Sequence, residues 1–186
     1  MKLLVTGGCG FLGSNIVSSF LKKDAEIFII DNLSRQGSEK NLIWLQKQSK
    51  NNQLHFINCD ISDEVNLDEV FLKYAPFDYV CHVAGQVAMT TSIKKPYLDF
   101  STNLKGTFNV LEKVRKYSEN SLIAFSSTNK VYGDLDWIDK SETEKRYFLP
   151  DYPRGLDENL TLDFSTPYGC SKGAADQYVK DWARVY

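Results

Sequence analysis

The chain has 186 residues and a formal net charge of −2, from 22 basic and 24 acidic side chains. This length suits one globular domain, and the lack of a basic block argues against nucleic acid or an anionic membrane as a partner. The hydrophobic runs are no longer than strands, which argues against a membrane-spanning helix. Because an apolar run begins directly after Lys2, we expect no signal peptide and a cytoplasmic location.

Hydrophobic runs alternate with helical patterns along the chain. We predict strands near residues 2–6, 25–30, 54–58, 78–83 and 121–126 and helices near 11–22, 39–49, 63–74, 97–117 and 168–185. The runs lack the alternation of a half-exposed strand, which indicates a parallel sheet with helices on both faces. Right-handed crossovers then predict an α/β, doubly wound, Rossmann-like sheet in the order 3-2-1-4-5, with ligands at the carboxyl ends of its strands.

Two segments depart from this alternation. Residues 133–166 form a long connection of the kind that is functional or disordered. The last predicted helix stops within its pattern, without a glycine or proline stop signal, so we expect a C-terminally truncated fragment. Elsewhere, four cysteines lack metal-ligand spacing, so we expect buried free thiols and no metal site at Cys9, Cys59, Cys81 and Cys170.

The first strand leads directly into a glycine-rich turn. Gly7, Gly10 and Gly13 permit a tight turn, a close approach to a pyrophosphate and tight packing of the next helix. That helix begins with Phe11 and Leu12, and its free N–H groups would face the phosphates. The turn therefore predicts a dinucleotide site.

Acidic residues follow the next two strands. Asp31 lies 18 residues after Gly13, and its carboxylate would accept the ribose hydroxyls and repel a 2′-phosphate, so we predict NAD, not NADP. Asp60 would accept from the adenine amino group and Ile61 would pack on the ring. A helix cap at Asp60 or Ser62 explains the same residues equally well.

The segment after the fourth strand is small and polar. Ala84 allows a close approach to the cofactor, and we expect substrate contacts from Gln86 and the hydroxyls of Thr90, Thr91 and Ser92. His82 lies within the strand, where a hydrogen-bonded core histidine is the better interpretation than a catalytic base.

Hydroxyls and a tyrosine–lysine pair complete the predicted site. Ser126, Ser127 and Thr128 follow the fifth strand and would bond a sugar oxygen or form a simple turn. Tyr168 and Lys172 share a helix face, where an ammonium favours the phenolate needed for general base and acid catalysis. Alone, this spacing is also common on solvated helix faces.

Taken together, TGGCGFLGSN, DNLS, HVAGQ, NLKGTFNVLE, SSTNKVYGD and YGCSK resemble the extended short-chain dehydrogenase/reductases that modify nucleotide sugars. The longer strings AGQVAMTTS, SSTNKVYGD and DFSTPYGCSKGAADQY are similar to members that epimerise CDP-linked dideoxyhexoses at C2. The resemblance covers nearly the whole chain.

This resemblance implies a role for each part of the predicted site. Tyr168 is the acid/base, Lys172 holds the nicotinamide ribose, and Thr128 orients the sugar oxygen. Asn103 helps to fix the lysine, although a lone helical asparagine is also compatible with neutral surface or a backbone-bonded kink. Further expected contacts are Asn32 to the cofactor, Gln86 to cofactor and substrate, and Thr90, Asn129 and Lys130 to the substrate.

The resemblance also implies features of the complete protein. The substrate is a CDP-sugar, the cofactor is tightly bound NAD, and the product enters lipopolysaccharide O-antigen synthesis. Residues 1–186 form the NAD-binding domain, and a separate C-terminal domain holds the nucleotide sugar, so the fragment is expected to be inactive. Relatives commonly form homo-oligomers through the helices at 97–117 and 168–185.

Three alternatives remain. A 4,6-dehydratase would carry Asp-Glu after its threonine, whereas this chain has Asn129-Lys130, which argues against elimination. A 4-epimerase would use the same tyrosine and nicotinamide, and only substrate orientation separates it from a 2-epimerase. A noncatalytic NAD-binding module is the third alternative.

Overall fold

The computed structural model describes residues 1–50 and 52–186, and it is built around a five-stranded parallel sheet. The strands are β1 (Lys2–Thr6), β2 (Glu26–Asp31), β3 (Leu54–Asn58), β4 (Tyr79–His82) and β5 (Leu122–Phe125). Their order is β3-β2-β1-β4-β5, which confirms the predicted doubly wound topology. Leu3 pairs with Ile27 on one side and with Tyr79 on the other, so β1 occupies the centre.

Helices cover both faces of this sheet. They include α1 (Phe11–Leu21), α2 (Ser38–Gln48), α3 (Glu64–Tyr74), α6 (Gly106–Tyr117) and α7 (Thr166–Val185). Leu3 and Val5 of β1 pack in a cluster with residues of α1 and α2, whereas Leu4 packs with residues of α3 and α6. Successive side chains of β1 are therefore both buried, which explains its continuous apolar run. The prediction of burial on both faces is not met by β5, where exposed and half-buried residues alternate.

The helix predicted at 97–117 is interrupted. Two short helices, α4 (Met89–Lys94) and α5 (Pro96–Asp99), precede a π-helical segment at Phe100–Lys105 and then α6. Pro96 starts α5, and its ring disfavours helical backbone at Lys95, which separates α4 from α5. The π-helical segment is a tertiary feature, because Asn103 within it bonds to residues far away in sequence.

The connection between β5 and α7 contains more structure than expected. A 3₁₀ turn spans Asn129–Tyr132, and a short hairpin pairs β6 (Ser141–Glu142) with β7 (Tyr147–Phe148). The prediction of buried cysteines is only partly correct, because Cys170 is exposed and Cys81 is half-buried. Within residues 1–50 and 52–186, no helix has the length and apolarity that a membrane crossing requires, and no cluster of metal-ligating side chains occurs.

Candidate functional site

The glycine turn between β1 and α1 has the shape of an anion cradle. Gly7 has a φ of +70°, and a Cβ on Gly13 would lie 2.1 Å from the Gly7 carbonyl oxygen. Any larger residue at position 13 would therefore force the turn and α1 apart. No side chain caps α1 at Gly10, so the N–H groups of the first helical turn remain available to a phosphate.

Asp31 supports this turn from the end of β2. Its Oδ2 accepts from the Cys9 backbone N–H at 2.9 Å, and its Oδ1 accepts from Leu33 N–H at 2.9 Å. Each carboxylate oxygen has a further lone pair. The predicted ribose-binding carboxylate thus lies beside the glycine turn, at the carboxyl edge of the sheet.

Asn32 and Asp60 meet across the ends of β2 and β3. The Asn32 amide donates to Asp60 Oδ2 at 2.8 Å, and Ser62 donates to Asp60 Oδ1 through both its backbone and its hydroxyl. Burial tends to raise the pKa of Asp60, but these hydrogen bonds outweigh it and keep the pKa below its usual value.

Two expectations at this corner need correction. Asp63 is the residue that caps α3, by accepting from Asn66 N–H at 3.2 Å, so neither Asp60 nor Ser62 is the cap. The side chain of Ile61 is only 4% exposed and packs on Gly106 in the core. The Ile61 side chain offers little surface to an adenine ring, because it is already packed in the apolar core.

The backbone after β4 is held by Asn103. The Asn103 amide oxygen accepts from Gln86 N–H at 2.8 Å, and its amide nitrogen donates to the Gln86 carbonyl at 3.1 Å. A Cβ on Gly85 would lie 3.0 Å from the Asn103 oxygen, so the loop passes close to the π-helical segment. Asn103 is buried and bonded to protein partners, which excludes the neutral-surface interpretation.

The substrate contacts expected from this loop are only partly available. Gln86 folds back, and its side chain bonds to both the N–H and the carbonyl of Ala88. Thr90 is exposed, whereas Ser92 is fully buried and cannot reach a substrate. Ser92 lies on α4, which packs against both α5 and α7.

His82 is the core histidine that its position within β4 predicts. Its Nδ1 lies 2.6 Å from Thr6 Oγ1 and its Nε2 lies 2.8 Å from Thr107 Oγ1. Burial, together with the nearby Lys172 charge, lowers the pKa of His82 to about 3. The imidazole is therefore neutral at physiological pH and both ring nitrogens are occupied.

Thr128 lies at the start of the 3₁₀ turn after β5. Its Oγ1 accepts from Lys130 N–H at 3.3 Å, which is the simple turn considered from the sequence. Because the hydroxyl accepts in this bond, its own proton remains available for a substrate oxygen. Asn129 and Lys130 are exposed beside it.

The tyrosine–lysine pair lies in the first turns of α7. Lys172 is 5% exposed, its Nζ donates to the Ser126 carbonyl at 2.5 Å, and it lies 4.1 Å from the Phe125 ring centroid. Burial lowers the pKa of Lys172 to about 8, although Asp176 opposes this shift. The Lys172 side chain thus anchors α7 to the end of β5.

A second close contact brings the Thr128 turn to the same helix. A Cβ on Gly169 would lie 3.1 Å from the Lys130 carbonyl oxygen. Only glycine allows this approach between α7 and the 3₁₀ turn without a shift of one of them. The structure therefore gathers Thr128, the half-buried Tyr168 and Lys172 at the carboxyl edge of the sheet.

Comparisons with known proteins identify the family of the chain. The sequence model of the GDP-mannose 4,6 dehydratase family matches residues 4–186. The chain belongs to this family. Its predicted membership of the extended short-chain dehydrogenase/reductases is confirmed.

Individual relatives of this family include both epimerases and dehydratases. The chain is 52% identical to CDP-paratose 2-epimerase of Salmonella typhi over 186 residues, which are 100% of the chain and 54% of that protein. It is 35% identical to dTDP-glucose 4,6-dehydratase of Salmonella typhimurium over 195 aligned residues, covering 100% of the chain and 51% of the relative. The chain thus spans about half the length of these relatives.

A solved structure shows the same fold. UDP-glucose 4-epimerase of Thermus thermophilus, in complex with NAD, matches with a TM-score of 0.77 and 29% identity. The match covers 100% of this chain and 52% of that one.

Some residues beside the site were missed by the sequence reasoning. Thr6, Thr107 and Ser171 are buried hydroxyls that bond to His82 or Asn103. Two signals were present: Thr107 follows Asn103 at helical spacing, and Ser171 directly precedes Lys172. Neither signal identifies a partner, because the partners lie on other elements.

Proposed function

We propose that the protein carrying this chain is an NAD-dependent nucleotide-sugar epimerase that converts CDP-paratose to CDP-tyvelose at C2, in the synthesis of O-antigen lipopolysaccharide. The proposal rests on two contacts of the first turns of α7: Lys172 donates to the Ser126 carbonyl, and Gly169, next to Tyr168, packs on the Lys130 carbonyl in the turn that begins at Thr128. The 52% identity to a CDP-paratose 2-epimerase supports the choice of sugar and carbon.

The glycine turn and the neighbouring strand ends, at the same carboxyl edge of the sheet, are suited to NAD. The close packing of Gly13 on the Gly7 carbonyl leaves a shallow turn with free N–H groups for the pyrophosphate. On this proposal Asp31 binds the ribose hydroxyls and would repel a 2′-phosphate. Asn32, Asp60, Ala84 and Gln86 line the neighbouring strand ends. When bound, NAD supplies the acceptor and donor of a hydride at the sugar carbon, so the net reaction consumes no nicotinamide.

Tyr168, Thr128 and Lys172 have distinct proposed roles. The Tyr168 oxygen takes the proton of the reacting sugar hydroxyl and returns it when the opposite epimer forms. Thr128 donates its free hydroxyl proton to the same sugar oxygen, which stabilises negative charge developing there. The Lys172 ammonium supplies positive charge beside the tyrosine from a buried position, where charge acts most strongly.

The residues beside Thr128 argue against water elimination. A 4,6-dehydratase needs an acid and a base there, whereas an amide and an amine, Asn129 and Lys130, occupy the exposed start of the 3₁₀ turn. We assign these two residues to contacts with the CDP-sugar. A 4-epimerase is the second candidate, because its chemistry would use the same three side chains.

The proposal extends to parts of the protein that the chain does not contain. Residues 1–186 would serve as the NAD-binding domain, and a C-terminal domain would hold most of the nucleotide. On this proposal the 186-residue chain alone binds NAD and does not turn over substrate. A noncatalytic NAD-binding role would not require Thr128 and Tyr168 together with the buried Lys172.

The first test is direct assay. Purified full-length protein incubated with CDP-paratose should form CDP-tyvelose without added reductant, and NAD should copurify with it. A requirement for stoichiometric turnover of external NAD would contradict the proposal. Conversion of UDP-glucose instead would establish the 4-epimerase alternative.

Tyr168→Phe tests the proposed acid/base. The variant should fold and bind NAD but lose turnover, because the ring remains while the proton-transferring oxygen is absent. Tyr178→Phe is the matched control, since Tyr178 lies on the same helix and is 41% exposed. Retained epimerisation by the Tyr168 variant would show that the base lies elsewhere.

A further inference from the structure

Five buried polar side chains form a continuous line beneath the site. Thr6, His82, Thr107, Asn103 and Ser171 are each between 0% and 6% exposed. They come from β1, β4, α6, the π-helical segment and α7, so they connect the strand before the glycine turn with the helix that carries Tyr168. Each residue contacts the next at hydrogen-bond distance, and at Asn103 the line passes from the backbone carbonyl, which accepts from Thr107, to the side-chain amide, which donates to Ser171.

The direction of these bonds follows from the number of protons available. The Thr107 hydroxyl donates its only proton to the Asn103 backbone carbonyl at 2.6 Å. Its oxygen must therefore accept from His82 Nε2, 2.8 Å away, which requires that Nε2 carries the hydrogen. In a neutral imidazole Nδ1 is then bare, and it accepts from the Thr6 hydroxyl at 2.6 Å.

The far end of the line has the same direction. The Asn103 amide orientation is set by Gln86, whose N–H and carbonyl contact the amide oxygen and nitrogen respectively. The Asn103 amide nitrogen also donates to Ser171 Oγ at 3.0 Å, and the Ser171 hydroxyl donates to the Tyr168 carbonyl at 2.9 Å. Every donor thus points from β1 towards Tyr168.

We propose that this one-way chain positions the first turn of α7 for catalysis, and that Ser171 is the positioning residue at its end. The proposal rests on the proposed function, because it takes Tyr168 to be the acid/base. On each side of Asn103 the buried hydrogen bonds share a direction and polarise one another, and Asn103 joins the two parts through its backbone carbonyl and its side-chain amide. The Tyr168 backbone is then tied to the same frame as the glycine turn and the Gln86 loop.

Two substitutions test Ser171. Ser171→Ala removes the last donor, and we expect kcat to fall about ten- to a hundredfold with KM and NAD affinity unchanged, since small displacements of a catalytic group cost this much. Ser171→Thr keeps the hydroxyl, and its extra methyl has room in the groove beside Pro96, Leu104 and Ala174, so it should restore most of the rate.

Ser18→Ala is the matched control for Ser171→Ala. Ser18 is also buried and donates its hydroxyl to a side chain, that of Gln48, but it lies on α1, away from this line. It should leave kcat unchanged. Full activity of Ser171→Ala, or equal losses in the two alanine variants, would overturn the proposal.

An NMR measurement tests the direction of this line of hydrogen bonds without an activity assay. The ¹⁵N shifts of His82 should report the neutral tautomer with hydrogen on Nε2, in protein with or without substrate. Thr107→Val removes the acceptor and should shift the Nε2 resonance while the domain stays folded. The opposite tautomer, with hydrogen on Nδ1, in the unmodified protein would refute the proposed direction of the hydrogen bonds.

The kinetic test of Ser171 and the NMR test of His82 together separate this inference from the proposed function. An unmodified protein inactive on CDP-paratose but with the Nε2–H tautomer would count against the function and support the chain. An active protein whose Ser171→Ala variant is unimpaired would support the function and count against the positioning role.

Discussion

Lys172 is the single side chain whose environment most constrains the proposed chemistry. It is buried, it donates to a backbone carbonyl, and its ammonium lies over the Phe125 ring. Burial lowers its pKa to about 8, and Asp176 in the next helical turn opposes the shift. The lysine is therefore charged at neutral pH but close enough to its pKa for charge loss to be measurable.

We predict a fall in kcat as pH rises through about 8, because Lys172 loses its charge above its lowered pKa. Asp176→Asn removes the charge that favours the Lys172 ammonium and so lowers its pKa further. The alkaline limb of the kcat–pH profile should therefore move to lower pH. Asp181→Asn is the control, since Asp181 pairs with Arg184 further along α7, and it should leave the limb in place. Identical limbs in all three proteins would exclude Lys172 as the titrating group.

Secondary structure elements position these side chains through a few unusually close contacts. The glycine turn contacts α1 at Gly13, and the 3₁₀ turn contacts α7 at Gly169. The π-helical segment places Asn103 between the Gln86 loop and α7. Such segments occur often at functional sites, because an extra residue redirects the backbone without ending the helix.

Gly13→Ala should disrupt the dinucleotide turn. The new Cβ would clash with the Gly7 carbonyl oxygen, and we expect a loss of about 1–3 kcal/mol in the free energy of unfolding together with weaker NAD binding. Gly37→Ala is the control: its φ of +93° makes alanine unfavourable by roughly 1–2 kcal/mol, but it has open space around it. Calorimetry should show a comparable loss of stability in both variants. Only the Gly37→Ala control should bind NAD with normal affinity.

At the scale of the whole molecule, both faces of the central strand β1 are buried, whereas an aromatic surface remains exposed on α6, α7 and the adjoining Tyr186. Phe108, Tyr178, Trp182 and Tyr186 form successive ring contacts with centroids between 5.3 and 5.7 Å apart. Arg115 lies over the Tyr186 ring. Exposed apolar patches of this kind mark interaction surfaces. The formation of homo-oligomers through these two helices stays a prediction.

Sedimentation of the full-length protein tests this prediction. Tyr178→Asp should shift the protein towards monomer, because it places a charge within the aromatic surface. Leu72→Asp, at a 70% exposed position on α3, should not change the mass. A monomeric unmodified protein would contradict pairing through these helices.

Much of this architecture is readable from local patterns. The five strands, their order and the glycine turn follow from apolar runs, helix periodicity and glycine spacing, each of which spans only a few neighbouring residues. The same holds for His82, since a histidine inside a buried strand must find hydrogen-bond partners. The resemblance to nucleotide-sugar enzymes singled out Thr128, Tyr168 and Lys172.

What escaped the sequence is which distant groups meet. Ser92 faces the interior, Gln86 bonds to its own loop, and Ile61 lies in the core, because competition among packed elements sets side-chain directions. The interrupted helix around Asn103, the buried lysine and the direction of the bonds from Thr6 to Ser171 depend on partners from four or five elements. Local propensity contains no information about such partners, so they are defined only when the sheet and its helices pack together.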